Sequence, residues 1–139
     1  MSTLIDLADA IVTSLNAGEF SREFEAARHY QPVYELADLQ TLRVSVVPKS
    51  VEIAAASRSE SYFDAAIDVA VQQRVDPGDS AALDALMQLV EEIGDFLRRR
   101  WTDTAAFIGL ENEPVFDPEH LNSEHVFTSL LTVRYRVRR

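Results

Sequence analysis

The residues best suited to chemistry lie close together near one end of the chain. His120 and His125, with Asp117, Glu119 and Glu124, are of the types that bind a divalent metal, since imidazole and carboxylate are ordinary zinc ligands. Their spacing works against such a site. Positions five apart fall on different sides of a helix and on opposite faces of a strand, so only a loop folded back on itself would converge them. A solvated polar loop accounts for the same residues. His29 stands far from both in sequence. Glu91, Glu92 and Asp95 bring three carboxylates together, and a charged, solvent-facing side of a helix explains them. The chain carries no glycine-rich phosphate loop, no GxSxG elbow and no HExxH, and its lack of cysteine removes disulfides, thiolate zinc sites and thiol nucleophiles. The expectation is a protein that is not an enzyme and holds neither cofactor nor metal.

Two charged sets remain, both on strands. Asp64 and Asp68 share the polar face of one strand, where Asp is intrinsically disfavoured. That face either meets solvent or meets basic groups of another subunit. Arg134, Arg136 and Arg138 recur at period two on the last strand, with Arg139 beyond. Like charges about 7 Å apart along a strand repel one another unless countercharges lie near. Cross-strand pairing with Asp64 and Asp68 inside the subunit would supply them, as would an ion-pair seam between subunits; a nucleic-acid patch ranks third. Trp101, after Arg98–Arg100, suits either an interface anchor or a cap on the core.

These residues are carried by elements whose periodicity is readable. Leu4, Leu7, Ala8, Ile11 and Leu15 recur at helical spacing over residues 3–16, and Asn16-Ala17-Gly18 is expected to end that helix through a left-handed residue. Phe24, Ala26, Arg28 and Tyr30 suit a short strand, edged or bulged at Pro32. Over residues 39–47, Leu42, Val44 and Val46 alternate with Thr41, Arg43 and Ser45, and Pro48, lacking an N–H, is expected to close the ladder. Residues 49–60 then read as a long hairpin connection. Residues 61–75 give the clearest strand, with Phe63, Ala65, Ile67, Val69 and Val71 on one side and Tyr62, Asp64, Asp68 and Gln72 on the other. A turn at residues 76–79 leads into a helix over 80–100 whose apolar face holds Leu83, Leu86, Val90, Ile93 and Leu97. Residues 102–124 read as an irregular excursion with short extended pieces near 105–108 and 113–116, and residues 125–137 as a last strand. The order predicts an α+β fold: a mixed or antiparallel sheet of about four strands, packed by an N-terminal helix and one long helix.

Bulk properties agree with one folded domain over 1–139. The chain is 47% hydrophobic with only four glycines and five prolines, so disorder is disfavoured. Residues 1–15 lack a basic n-region, carry Asp6 and Asp9 inside their apolar stretch and do not read as a signal peptide, and no run suits a bilayer crossing. A net charge of −10 argues against general affinity for nucleic acid or anionic membrane. The charge is uneven: −11 over residues 1–97 and +1 over residues 98–139. Such asymmetry suits contact between unlike surfaces, including those of neighbouring copies.

Two long strings, FEAARHYQPVYELADLQTLRVSVVPKSVEI and FDAAIDVAVQQRVDPGDSAALDALMQLVEEIGDFL, together with the order of elements, resemble the tail terminator (minor tail, tail completion) proteins of tailed phages and prophages. The resemblance spans about residues 3–138. It implies a homo-hexameric ring that sits on the finished end of the tail tube, stops polymerisation of the tube protein and presents a surface for head attachment. The partners implied are further copies of the chain, the tail tube protein and head–tail connector proteins; the place implied is the virion tail, reached by assembly in the host cytoplasm. A head–tail connector or head-closure protein of the neck is the nearest alternative, and a small metal-binding domain or enzyme the more distant one. Ring contacts are expected on the charged sheet face (Asp64, Asp68, Arg134, Arg136 and Arg138) and tube contacts on residues 49–60 and 102–124.

Overall fold

The computed structural model describes residues 3–30, 38–55, 57–99 and 105–138. Among them a five-stranded mixed sheet, in the order β1-β2-β3-β5-β4, carries two helices on one face. The α+β expectation holds, with one strand more than the sequence pattern predicts.

Helix α1 (Thr3–Ala17) buries Leu7, Ala8, Ile11 and Leu15, the stripe set by its apolar spacing. The reason it ends differs from expectation. No glycine has a positive φ, so Gly18 is not a left-handed cap. Its requirement is space: a Cβ there would come within 2.8 Å of the Phe20 ring. Asn16, the last turn's polar residue, reaches sideways to strand β1 (Glu25–Arg28). Its amide accepts from Ala26 N–H at 2.8 Å and donates to Ala26 C=O at 3.0 Å, doing for β1 what a neighbouring strand would do. On its other side β1 pairs in parallel with β2, which makes the sheet mixed.

Strand β2 (Arg43–Ala55) does not stop at Pro48. It pairs with β3 (Ser61–Arg74) along its whole length, from Arg43↔Gln72 to Ala55↔Ser61. The register shifts between Pro48 and Ser50, and that bulge absorbs the proline's missing donor. One extra residue also inverts the side-chain phase. Val44 and Val46 before the bulge share the helix side with Val51 and Ile53 after it, through their partners Val71, Val69, Ala65 and Phe63. Residues 49–55, expected in the hairpin connection, are therefore strand, and in the turn that leads to β3 Ser57 N–H donates to Glu60 C=O at 3.1 Å.

The turn after β3 forms as expected. Asp76 accepts from Gly78 N–H at 2.9 Å, and Asp79 accepts from Ala82 N–H at 3.1 Å to cap helix α2 (Ser80–Arg98). α2 buries Leu86, Leu89, Val90, Ile93 and Leu97 against the sheet, each worth about 1.5–3 kcal/mol relative to exposure. Phe20 stands edge-on to Phe96, ring centroids 5.1 Å apart, which packs the loop after α1 onto α2.

Of the excursion expected over residues 102–124, the described part, residues 105–124, is more ordered than its sequence pattern. Within them β4 (Ala105–Asn112) forms a full edge strand against β5 (Val126–Arg138), with a bulge at Ile108. The extended piece expected at 113–116 is not a strand, though Glu113 N–H donates to Leu130 C=O and Leu130 N–H to Pro114 C=O, both at 3.1 Å. A single π-helical turn (His120–Glu124) follows and ends on His125 in the left-handed region at φ 56°. Gly109 and two prolines obscure this order in the sequence. Trp101 lies outside the described residues.

The main core lies between helices and sheet. Ile67, Val69, Val71, Val133 and Leu131 face Leu89 and Ile93 there, and the Tyr135 hydroxyl donates at 2.9 Å to Leu97 C=O, one of the carbonyls a helix C-terminus leaves open. The opposite face divides in two. At one end Ser45, Val47, Ala70, Gln72 and Thr132 are buried, while the 3-10 turn (Asp38–Gln40) packs on β3 and the π-helical turn on β5. At the hairpin end the same face is open and charged.

Candidate interaction surface

The open half of that face holds four of the five charged residues singled out from the sequence, and Asp68 lies at its inner limit. β3 and β5 pair so that Asp64 lies directly across from Arg136, and Asp68 across from Thr132. Arg136 donates from Nε to one Asp64 oxygen at 2.8 Å and from Nη2 to the other at 3.0 Å, and its guanidinium stacks 4.5 Å from the Tyr62 ring centroid. The Arg136 hydrogen bonds hold the Asp64 carboxyl below the usual carboxylate range, and the Asp64 hydrogen bond raises Arg136.

Arg136 alone pairs with one of the two aspartates. Arg138 reaches Glu60 in the hairpin turn at 2.6 Å, and Arg134 approaches Glu111 of β4 at 3.8 Å. Asp68 accepts from the Thr132 hydroxyl at 2.6 Å, with Lys49 Nζ at 3.9 Å. Each arginine thus has a countercharge on a different element: β4, β3 and the hairpin turn. Alternation placed these side chains on one face; it could not name Glu60, Glu111 or Lys49, which only the register of neighbouring strands brings into reach. Pairs this exposed stabilise weakly in water and remain available to a partner's groups.

The other candidate residues have local duties. His120 Nδ1 lies 3.2 Å from the Thr128 hydroxyl and 3.7 Å from Asp117, while Asp117 accepts from the Glu119 and His120 N–H groups at the start of the π-helical turn. Among the described residues no three His, Asp or Glu side chains are grouped to hold a metal ion. Glu92 is not simply solvated: its carboxylate accepts from Ser21 N–H at 2.8 Å and from the Ser21 hydroxyl at 2.5 Å, tying the loop after α1 to α2. Asp95 pairs along the helix with Arg98 at 3.5 Å. No helix among the described residues is long and apolar enough to cross a membrane.

Beside the charged face lie features that sequence reasoning missed. Ile53 is 60% exposed and Val51 36%, both on the helix side of the hairpin. Ile108 is 44% exposed at the β4 bulge. The phase inversion at Pro48–Lys49 puts Val51 and Ile53, both β-branched, on the apolar face, and the sequence pattern alone could not show it.

No family model matches the chain, and no curated protein matches it. Among solved structures, a chain of the virion of a native gene transfer agent (GTA) particle superposes over 100% of both chains, with a TM-score of 0.63 and 14% sequence identity. At that identity the likeness is one of fold.

Proposed function

We propose that this chain is a structural subunit of a phage-like virion, acting as a tail terminator: a homo-hexameric ring on the end of the tail tube that stops polymerisation and offers a surface to the head. The observation that carries this reading is the end-to-end fold match to a chain of a gene transfer agent virion, with no part of either chain left over. The strings that resemble tail terminators point the same way from the sequence. The mechanism is surface complementarity. One face of the ring matches the last ring of tube protein; the other differs from it, so no further tube subunit adds. Asp64, Asp68, Arg134, Arg136 and Arg138 are assigned to contacts between subunits, where a neighbour's groups exchange for or extend the pairs made within the chain. The hairpin turn and the segment between β4 and β5 are assigned to the tube protein, and head–tail connector proteins to the far side. On this reading the protein is not an enzyme, needs no cofactor, and resides in the virion tail after assembly in the host cytoplasm.

Electron microscopy of particles made with and without the chain tests the proposal. Overlong or headless tails in its absence are expected. Tails of normal length that merely fail to join heads would overturn termination in favour of a connector or head-closure role.

A further inference from the structure

Among the described residues, two stretches of sheet edge are open, and they match each other. β1 covers the outer side of β2 only from Arg43 to Val46, so among the described residues no strand lies against residues 47–55 on the side away from β3. Among the described residues β4 is the last strand on the other side. By contrast, the outer edge of β1 is closed at Ala26 by the Asn16 amide, as exposed edges usually are.

Register sets the height of each edge. Ile53 pairs with Phe63, Phe63 with Val137, and Val137 with Ala105. Six or seven residues away, Val46 pairs with Val69, Val69 with Leu131, and Leu131 with Asn112. β4 therefore occupies the rows of residues 46–53 of β2, the stretch where β1 stops. Direction matches as well. Each neighbouring pair from β2 through β3 and β5 to β4 is antiparallel, so β2 and β4 run oppositely. A rotation about an axis parallel to the strands places β4 of one copy beside β2 of the next and continues the antiparallel order. A closed ring allows no net rise from copy to copy, and these two edges meet without one.

We infer that β4 of one copy pairs with the open stretch of β2, residues 47–55, in the next copy, so that the sheets join around the ring. The occupant is a second copy rather than a foreign strand because both edges belong to this chain and agree in height, length and direction. The side chains agree too. Phe107 lies in the row of Val51 on the helix side, so the join sets the next copy's Val51 and Ile53 against an aromatic neighbour and covers their exposed surface. The inference rests on the ring reading and adds a main-chain contact to the charged-face contacts proposed there.

The test uses the absence of native cysteine. Glu52 and Ala106 share a row on the charged face through Asp64 and Arg136, with two strands between them inside one copy. The double variant E52C/A106C, mildly oxidised, is expected to give a ladder of covalent oligomers; each single variant gives none, and their mixture gives dimers only. I53K, at a 60% exposed position, is expected to keep its circular dichroism and melting temperature while losing assembly. Oligomers that form but cross-link neither at this pair nor at S50C/A106C or A54C/A106C would overturn the edge pairing and leave the ring reading standing. A chain that stays monomeric at high concentration would overturn the pairing as well, with the tail phenotype deciding the ring reading separately.

Discussion

Arg136 holds both oxygens of Asp64 across the β3–β5 pair, at 2.8 and 3.0 Å, so the carboxylate is engaged in its charged form. Because the folded state lowers the Asp64 pKa, its contribution to stability is fully present above the unfolded value, about 3.9, and is lost as pH falls through the lower folded value. Arg136→Gln should therefore reduce stability at pH 7 and flatten the acid limb of the stability curve, while leaving the fold intact. Urea midpoints of the two proteins between pH 7 and the acid transition measure this; parallel acid limbs would refute it. With the Asp64 carboxyl 22% exposed, solvent screening keeps the effect small.

Asn16→Ala removes two hydrogen bonds to Ala26, a residue only 3% exposed, and leaves its N–H and C=O without their partner. The expected loss is about 1–3 kcal/mol, the cost of an unsatisfied buried backbone group. Native-state hydrogen exchange at Ala26 should accelerate in step. Unchanged protection there would show that β1 is held by β2 alone.

Ser45 is fully buried on the face away from the helices, and its hydroxyl has no hydrogen-bond partner among the described residues. Ser45→Ala removes a desolvated group at little cost in packing and should raise stability by about 1 kcal/mol. Chemical denaturation checks the sign, and a decrease would mean that the hydroxyl is bonded in solution.

Ile67 has no exposed surface and sits mid-strand in the sheet's centre, between Pro48 and Val133. Ile67→Asp buries an unpaired carboxylate there, and its cost of several kcal/mol is comparable with a domain's whole stability of about 5–15 kcal/mol. The variant should lack a cooperative thermal transition. A folded variant would require the opposite strand phase.

The sequence by itself determined the elements whose side chains repeat with one period: α1, α2, β3, β5 and the first half of β2. Burial of one face imposes that repeat, and the same alternation put Asp64, Arg134, Arg136 and Arg138 on one side of the sheet. Where the period breaks, at Pro48–Lys49 and around Gly109, it could not distinguish a bulge from the end of a strand, because one inserted residue reverses the phase without ending the ladder. The extended piece expected near 105–108 is the first half of β4; its second half and the distal half of β2 were legible only once their partners lay beside them. Tertiary structure alone decided which carboxylate meets each arginine and where the sheet is left open. Both follow from register, which is a relation between segments far apart in the chain, and no local pattern contains it.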